Sequence, residues 1–136
     1  MSAIPEKVDA LVVGAGIAGL QAALDLAEQG YKVAVVEQQP SIGGAMIGLS
    51  KVFPTLDCAS CITTPKMAAA AHHENITIWT YTEVKAIERE GASFRARLTQ
   101  KPRFVVEDLC IGCRLCEYAC ACELPDPYQG GYSALR

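Results

Sequence analysis

The sequence predicts an α/β fold: a strand–helix–strand (βαβ) unit at the amino end, a β-hairpin after it, and a short cysteine-rich segment at the carboxyl end. Three observations predict this. Residues 8–13 and 31–36 are short apolar runs of strand length on either side of a helix-period stretch. A glycine-rich turn sits between the first run and that helix. Polar–apolar alternation, the mark of a strand with one wet face, runs in part through residues 84–89 and again through 93–99.

Residues 8–13 form a nearly continuous apolar run, as expected of a parallel strand covered on both faces. Gly14-Ala15-Gly16-Ile17-Ala18-Gly19 follows, with G-x-G-x-x-G spacing. Gly14 permits the sharp turn, Gly16 lets backbone amides approach a pyrophosphate, and Gly19 lets the helix lie close to the strand. The phosphates would rest on the unpaired N–H groups at the positive end of the helix. Ile17, Leu20, Leu24 and Ala27 share one helical face, Gln21, Asp25 and Glu28 the other, and Gly30 ends the helix. Residues 31–36 are the second strand and Glu37 closes it, placed to accept hydrogen bonds from ribose hydroxyls.

Composition narrows the function classes. With 136 residues, 51% of them hydrophobic, the chain can bury one modest core. A net charge of −3 gives no electrostatic case for nucleic acid or an anionic membrane. The apolar runs are strand-sized and broken by glycine, so no membrane span is expected, and residues 1–7 lack the pattern of a secretory leader. Seven cysteines, five of them at C-x-x-C spacing, favour metal or redox chemistry over a disulfide scaffold.

Residues 45–56 carry little pattern, and Pro54 argues for a loop. Thr64 as N-cap and Pro65 as first helical residue predict a helix through Met67 and Ala71, with Cys61 just before its amino end, where the dipole favours a thiolate. Cys58 and Cys61 are then a redox-active pair, ligands of an iron–sulfur cluster, or two small buried side chains. His72 and His73 end that helix, with a metal role the lesser reading. Residues 75–80 read as a third strand beside the first two, with Trp79 and Tyr81 as packing residues. Residues 84–89 and 93–99 make the hairpin around Gly91.

Residues 101–103 read as a linker that separates a domain at 1–100 from a segment at 101–136. Cys110, Cys113, Cys116 and Cys120 then stand at C-x2-C-x2-C-x3-C spacing, which wraps a 4Fe–4S cubane, with Gly112 easing the turn between ligands. Ala121 stands where the bacterial ferredoxin run has proline, and no second quartet follows to share Cys120. Cys122 is a spare ligand or a buried thiol, and zinc is a weaker alternative for the quartet. Residues 124–131 read as loop.

Glu37, five residues and then Gly43-Gly44 resembles the flavoproteins with two dinucleotide-binding domains, the group of glutathione and thioredoxin reductases. That resemblance implies a partial Rossmann-like FAD-binding domain, with Gly14, Gly16, Ile17, Ala18, Gly19, Glu37, Gln38, Gly43 and Gly44 toward FAD and NAD(P) as runner-up. Residues 14–27, then Pro40-Ser41-Ile42-Gly43-Gly44, Phe53-Pro54-Thr55-Leu56-Asp57-Cys58, Cys61-Ile62-Thr63-Thr64-Pro65-Lys66-Met67 and Lys101-Pro102-Arg103-Phe104 resemble the A-subunit flavoproteins of heterodisulfide reductase. The resemblance covers nearly the whole chain.

That family implies FAD, 4Fe–4S clusters arranged as in a ferredoxin and a cytoplasmic site in anaerobes. It implies electron exchange among ferredoxin, subunits B and C, and a hydrogenase or formate dehydrogenase component, with flavin-based bifurcation in several members. Against that pattern the chain is short, so another chain is expected to supply the rest of the FAD domain, and weak FAD binding is expected of this chain alone. Three readings stay in play. The first is an electron-transfer component of such a complex. The others are a thiol–disulfide oxidoreductase that uses Cys58 and Cys61 as catalytic pair, and a non-catalytic remnant that binds a partner.

Overall fold

The computed structural model describes residues 7–106, 109–125 and 134–135. Backbone contacts divide the chain into two compact units, Met1–Pro102 and Arg103–Arg136.

The first unit is built on a parallel sheet of three strands, β1 (Ala10–Val13), β2 (Val33–Val36) and β5 (Ile76–Trp79), in the order β1-β2-β5. Val12 pairs with Val35 and Val35 with Ile78, so branched side chains line up across the pleat. All of β2 is buried, as the middle strand of a covered sheet should be. Helix α1 (Ile17–Glu28) turns Leu20, Ala23, Leu24 and Ala27 onto the sheet, at helical spacing. Burying a leucine such as Leu20 in this way contributes about 1.5–3 kcal/mol. Gly30 ends the helix at φ +91°, its N–H donating to Ala27 O at 3.0 Å, and the Asn75 amide donates to the same carbonyl at 3.3 Å.

Two expectations change. The run at residues 8–13 predicts a strand covered on both faces, yet Val13 is 59% exposed and β1 is otherwise only half-buried. The reason is position: β1 pairs with β2 alone among the described residues, so it is an edge strand. The second change concerns α2, which runs Ala59–His72 and so starts well before Thr64-Pro65. Cys58 caps it, Ala59 and Thr63 are buried, and Thr63 Oγ1 donates to Ala59 O at 2.9 Å. Burial of that first turn outweighs the bias against helix before a proline, and Pro65 lies inside the helix, leaving Cys61 O without its usual donor.

Between β2 and α2 the expected loop contains a 3-10 turn at Gly44–Gly48 and a two-stranded hairpin, β3 (Lys51–Val52) with β4 (Asp57–Cys58). After β5, strands β6 (Thr82–Glu90) and β7 (Ser93–Gln100) pair antiparallel around Gly91-Ala92, with an irregularity between Val84 and Ala86. The sequence predicts one wet face here. Toward the turn both faces are wet, with Ile87 54% and Phe94 71% exposed, because no layer covers that end among the described residues.

The second unit contains α3 (Leu115–Ala119) and a short pair, β8 (Leu124–Pro125) with β9 (Ala134–Leu135). None of its described residues is buried, although Phe104, Leu109, Ile111 and Leu115 are all more than half exposed apolar side chains. Part of the loop predicted at 124–131 lies outside the described residues. No helix among the described residues is long and apolar enough to cross a membrane.

Candidate functional site

The glycine turn joins the carboxyl end of β1 to the amino end of α1. Gly14 takes φ +100° while its N–H still donates to Val36 O at 2.7 Å, so the chain turns without leaving β2. Gly16 is the helix N-cap, extended and without any capping side chain. A β-carbon built on Gly16 meets no heavy atom within 4 Å. Among the described residues no side chain caps the first turn of α1, and the ground beside Gly16 at the positive end of the helix is open, the setting in which helix amino ends accept phosphate. At Gly19 the opposite holds: a β-carbon would lie 1.9 Å from Gly14 O, so only glycine lets α1 sit this close to the turn.

Gly43 and Gly44 brace this turn from the other side. Gly43 N–H donates to Ala15 O at 2.7 Å, and a β-carbon on Gly44 would lie 3.0 Å from Gly16 Cα. In the structure, then, the backbone that Gly44 approaches closely is the glycine turn itself. Glu37, 6% exposed, ties the same turn to the end of β2. Its Oε2 accepts from Ala15 N–H at 2.7 Å and its Oε1 from Gln39 N–H at 2.8 Å. A carboxylate has about four acceptor positions, so two hydrogen bonds leave capacity for a sugar hydroxyl.

Of these residues Gly14 and Glu37 border a cleft of about 450 Å³ at the carboxyl ends of β1 and β2; Gly16, Gly19, Gly43 and Gly44 are not among its lining residues. Gly14, Glu37 and Gln38 line one side, and Thr82, Glu83 and Val84 of β6 another. Open α/β sheets bind ligands in that position. The glycines and Glu37 were legible in the sequence; Thr82 to Val84 were not, since nothing in residues 82–84 distinguishes the start of an ordinary hairpin strand. Glu83 accepts from Lys101 and Lys85 at 2.5 Å each. The Lys101 hydrogen bond above all, then that of Lys85, holds its carboxyl at about 2, and the same pairing raises Lys101. Lys101 also lies over the Tyr81 ring, 5.4 Å from its centre. The rim of the cleft is thus an ionised carboxylate neutralised by two lysines.

Apart from this cleft, Cys58 and Cys61 are joined in a disulfide with Cα atoms 5.2 Å apart, and both residues are exposed. Cys58 Sγ accepts the Cys61 N–H at 3.2 Å. The residue at the helix amino end is therefore Cys58, in place of Cys61 as the sequence suggests. The side chains are not the buried pair of the blandest reading. His73 Nδ1 accepts from Asn75 N–H at 3.1 Å and so serves the helix end.

In the second unit Gly112 takes φ +67° and Arg114 caps α3 at φ +63°, with a forked pair of 2.7 Å bonds to Glu117. Cys110, Cys113 and Cys116 are exposed and Cys120 partly so, its Sγ donating to Cys122 O at 3.7 Å. Among the described residues no three His, Cys, Asp or Glu side chains converge on a common centre.

The profile of a family described as FAD dependent oxidoreductase matches residues 9–60. The chain is 47% identical over 138 residues to the iron-sulfur A-subunit of the CoB--CoM heterodisulfide reductase of Methanocaldococcus jannaschii, covering 98% of this chain and 21% of that protein. It is 48% identical over 127 residues to the A-subunit of the H(2):CoB-CoM heterodisulfide,ferredoxin reductase of Methanothermobacter thermautotrophicus, covering 93% of this chain and 19% of that one. In structure it is similar to thioredoxin reductase of T. acidophilum, with a TM-score of 0.58 and 26% identity, over 67% of this chain and 30% of that one. The chain thus spans no more than 21% of the length of either sequence relative. By sequence, the chain is similar over nearly its whole length to about a fifth of the A-subunits of heterodisulfide reductases.

Proposed function

We propose that the chain is the dinucleotide-cradling part of an electron-transfer oxidoreductase subunit of the heterodisulfide reductase type, and that it holds FAD. The observation that carries this reading is the open ground at Gly16, at the amino end of a helix that no described side chain caps, in a turn held by the buried carboxylate of Glu37. Gly14, Gly16, Ile17, Ala18 and Gly19 would hold the pyrophosphate through backbone amides, and Glu37 and Gln38 the ribose. Gly43 and Gly44 would keep the turn in shape for it. Bound FAD supplies two-electron uptake with one-electron release. The residues of this chain bind and orient it.

The one-electron side of the reading rests on spacing. Cys110, Cys113, Cys116 and Cys120 are the proposed ligands of a 4Fe–4S cluster, and the segment would have to close around it. Exposed apolar side chains and the absence of burial among the described residues fit a segment whose folding is coupled to its metal. The proposed partners are subunits B and C, a hydrogenase or formate dehydrogenase component, and ferredoxin. Bifurcation at the flavin belongs to the same reading, as does a cytoplasmic site. Anaerobic purification of the native complex, with flavin, iron and sulfide counted per chain, tests it. About one FAD and about four irons per quartet are expected. A complex with neither flavin nor iron would leave only a partner-binding remnant.

A further inference from the structure

The C-x-x-C pair has a local environment that the flavin reading does not use. Cys58 is the N-cap of a helix running Ala59–His72, and its sulfur accepts the first-turn N–H of Cys61 at 3.2 Å. Lys51 is the register partner of Cys58 across the β3–β4 hairpin, so the two side chains leave the same face of the pair. Asp57, the neighbouring charge, alternates to the opposite face. Helix dipole and N–H favour negative charge on Cys58 sulfur, with Lys51 the cation-bearing residue on the same face of the hairpin, whereas Cys61 has only its place in the first turn. Both cysteines are exposed, and the buried Ala59 and Thr63 fix the helix end that carries them. A bridge between residues three apart removes little freedom from the unfolded chain, so stability gives it little purpose.

We propose that Cys58 and Cys61 form a thiol–disulfide exchange centre whose electron donor is a dithiol, with Cys58 as the sulfur that leaves as thiolate. A thiolate of the donor attacks Cys61 Sγ. The Cys58–Cys61 bond breaks, a mixed disulfide forms on Cys61, and Cys58 departs as thiolate. The donor's second thiolate then attacks the donor sulfur of the mixed disulfide and releases Cys61. The donor has lost two electrons and two protons and become a disulfide; Cys58 and Cys61 have gained them as thiols. With both sulfurs equally accessible, the better leaving group decides which is attacked.

The proposal needs neither flavin nor cluster, so a cofactor-free chain still tests it. The chain is reduced with dithiothreitol, as a small dithiol, or with reduced thioredoxin, as a protein dithiol, and free thiols are mapped by mass spectrometry. Fast, paired appearance of both thiols is expected with at least one donor, and which one identifies the source. Alkylation of the reduced chain by iodoacetamide at pH 6.5 then ranks the sulfurs. A thiol at a helix amino end ionises more readily than free cysteine but is intrinsically weaker, a net gain of about fivefold in rate. Cys58 should therefore react about fivefold faster than Cys61, Cys61→Ser should keep the fast site, and Lys51→Ala should narrow the ratio. Far-UV circular dichroism checks that each variant is folded. Equal rates, a faster Cys61, or a bridge that resists both dithiols would overturn the proposal. So would anaerobically prepared chain that carries iron lost on Cys58→Ser.

Discussion

Gly19 tests the geometry of the cradle most directly. In Gly19→Ala the new β-carbon would lie 1.9 Å from Gly14 O and 3.4 Å from Val12 Cγ1. An ordinary C···O contact is about 3.3 Å or more, so α1 must move away from the turn by more than about 1 Å. The obstacle is a backbone carbonyl, which no rotamer change can clear. Overpacking of this kind costs about 1–3 kcal/mol, with a rigid obstacle at the upper end. Alanine in place of a helical glycine returns about 0.5–1 kcal/mol. The clash wins, and the net expected loss is about 2 kcal/mol, or roughly 8–16 °C in melting temperature for a unit of this size. Trp79, the sole tryptophan, sits in β5 and reports on the sheet, so urea unfolding followed by its fluorescence is the assay. Gly16→Ala is the control: its β-carbon meets nothing, so stability should change by less than about 1 kcal/mol while nucleotide binding suffers. Gly19→Ala as stable as the parent chain would refute the close helix–turn contact and the cradle shape derived from it.

Three further outcomes follow from other contacts. Glu37→Gln leaves either Ala15 N–H or Gln39 N–H facing an amide donor, and the lost bond should cost about 1–3 kcal/mol in the same urea assay; an unchanged midpoint would mean that the carboxylate does not brace the turn. Glu83 lies below its ordinary value of 4.5, at about 2, so its pairing with Lys101 and Lys85 is complete above pH 4.5 and is lost as the pH falls toward 2. Carboxyl-carbon NMR should find that low midpoint, rising in Lys101→Ala; a midpoint near 4.5 in the parent chain would contradict the pairing. Trp79 is 8% exposed and its Nε1 has no hydrogen-bond partner among the described residues. Trp79→Phe removes an unsatisfied donor and should change stability by less than about 1 kcal/mol, whereas Trp79→Ala should lose about 3–5 kcal/mol, by thermal melts read in the far ultraviolet.

The parts of the fold that could be read from sequence are those set by local rules. Helix α1 was legible because Leu20, Leu24 and Ala27 repeat at helical spacing and Gly30 stops them. The glycine turn was legible because backbone conformation at Gly14 and close approach at Gly19 leave few alternatives to glycine. The start of α2 was not legible. Thr64-Pro65 is a sound helix-start signal, and what overrides it is tertiary: burial of Ala59 and Thr63, which no local pattern announces. That displacement changes the chemistry, because it moves the capped sulfur from Cys61 to Cys58. The second wall of the cleft, Thr82 to Val84, was hidden for the same reason. Those residues reach the site through the order of strands in space.

The mismatch at β1 carries the most information about what the chain works with. Hydrophobic patterning reflects burial in the assembled protein, and residues 8–13 read as a strand covered on both sides. Leu11 and Val13 lie on an edge instead, with Val13 59% exposed. In β2, where the same pattern is satisfied, all four residues are buried by neighbours on either side. On the proposed reading, a strand laid parallel beyond β1 would give it the same surroundings. It would also put the glycine turn at a reversal of strand order, where α/β sheets hold dinucleotides. The apolar side chains of the second unit are in excess of what it buries in the same way. On that reading, flavin retention should track occupancy of the β1 edge.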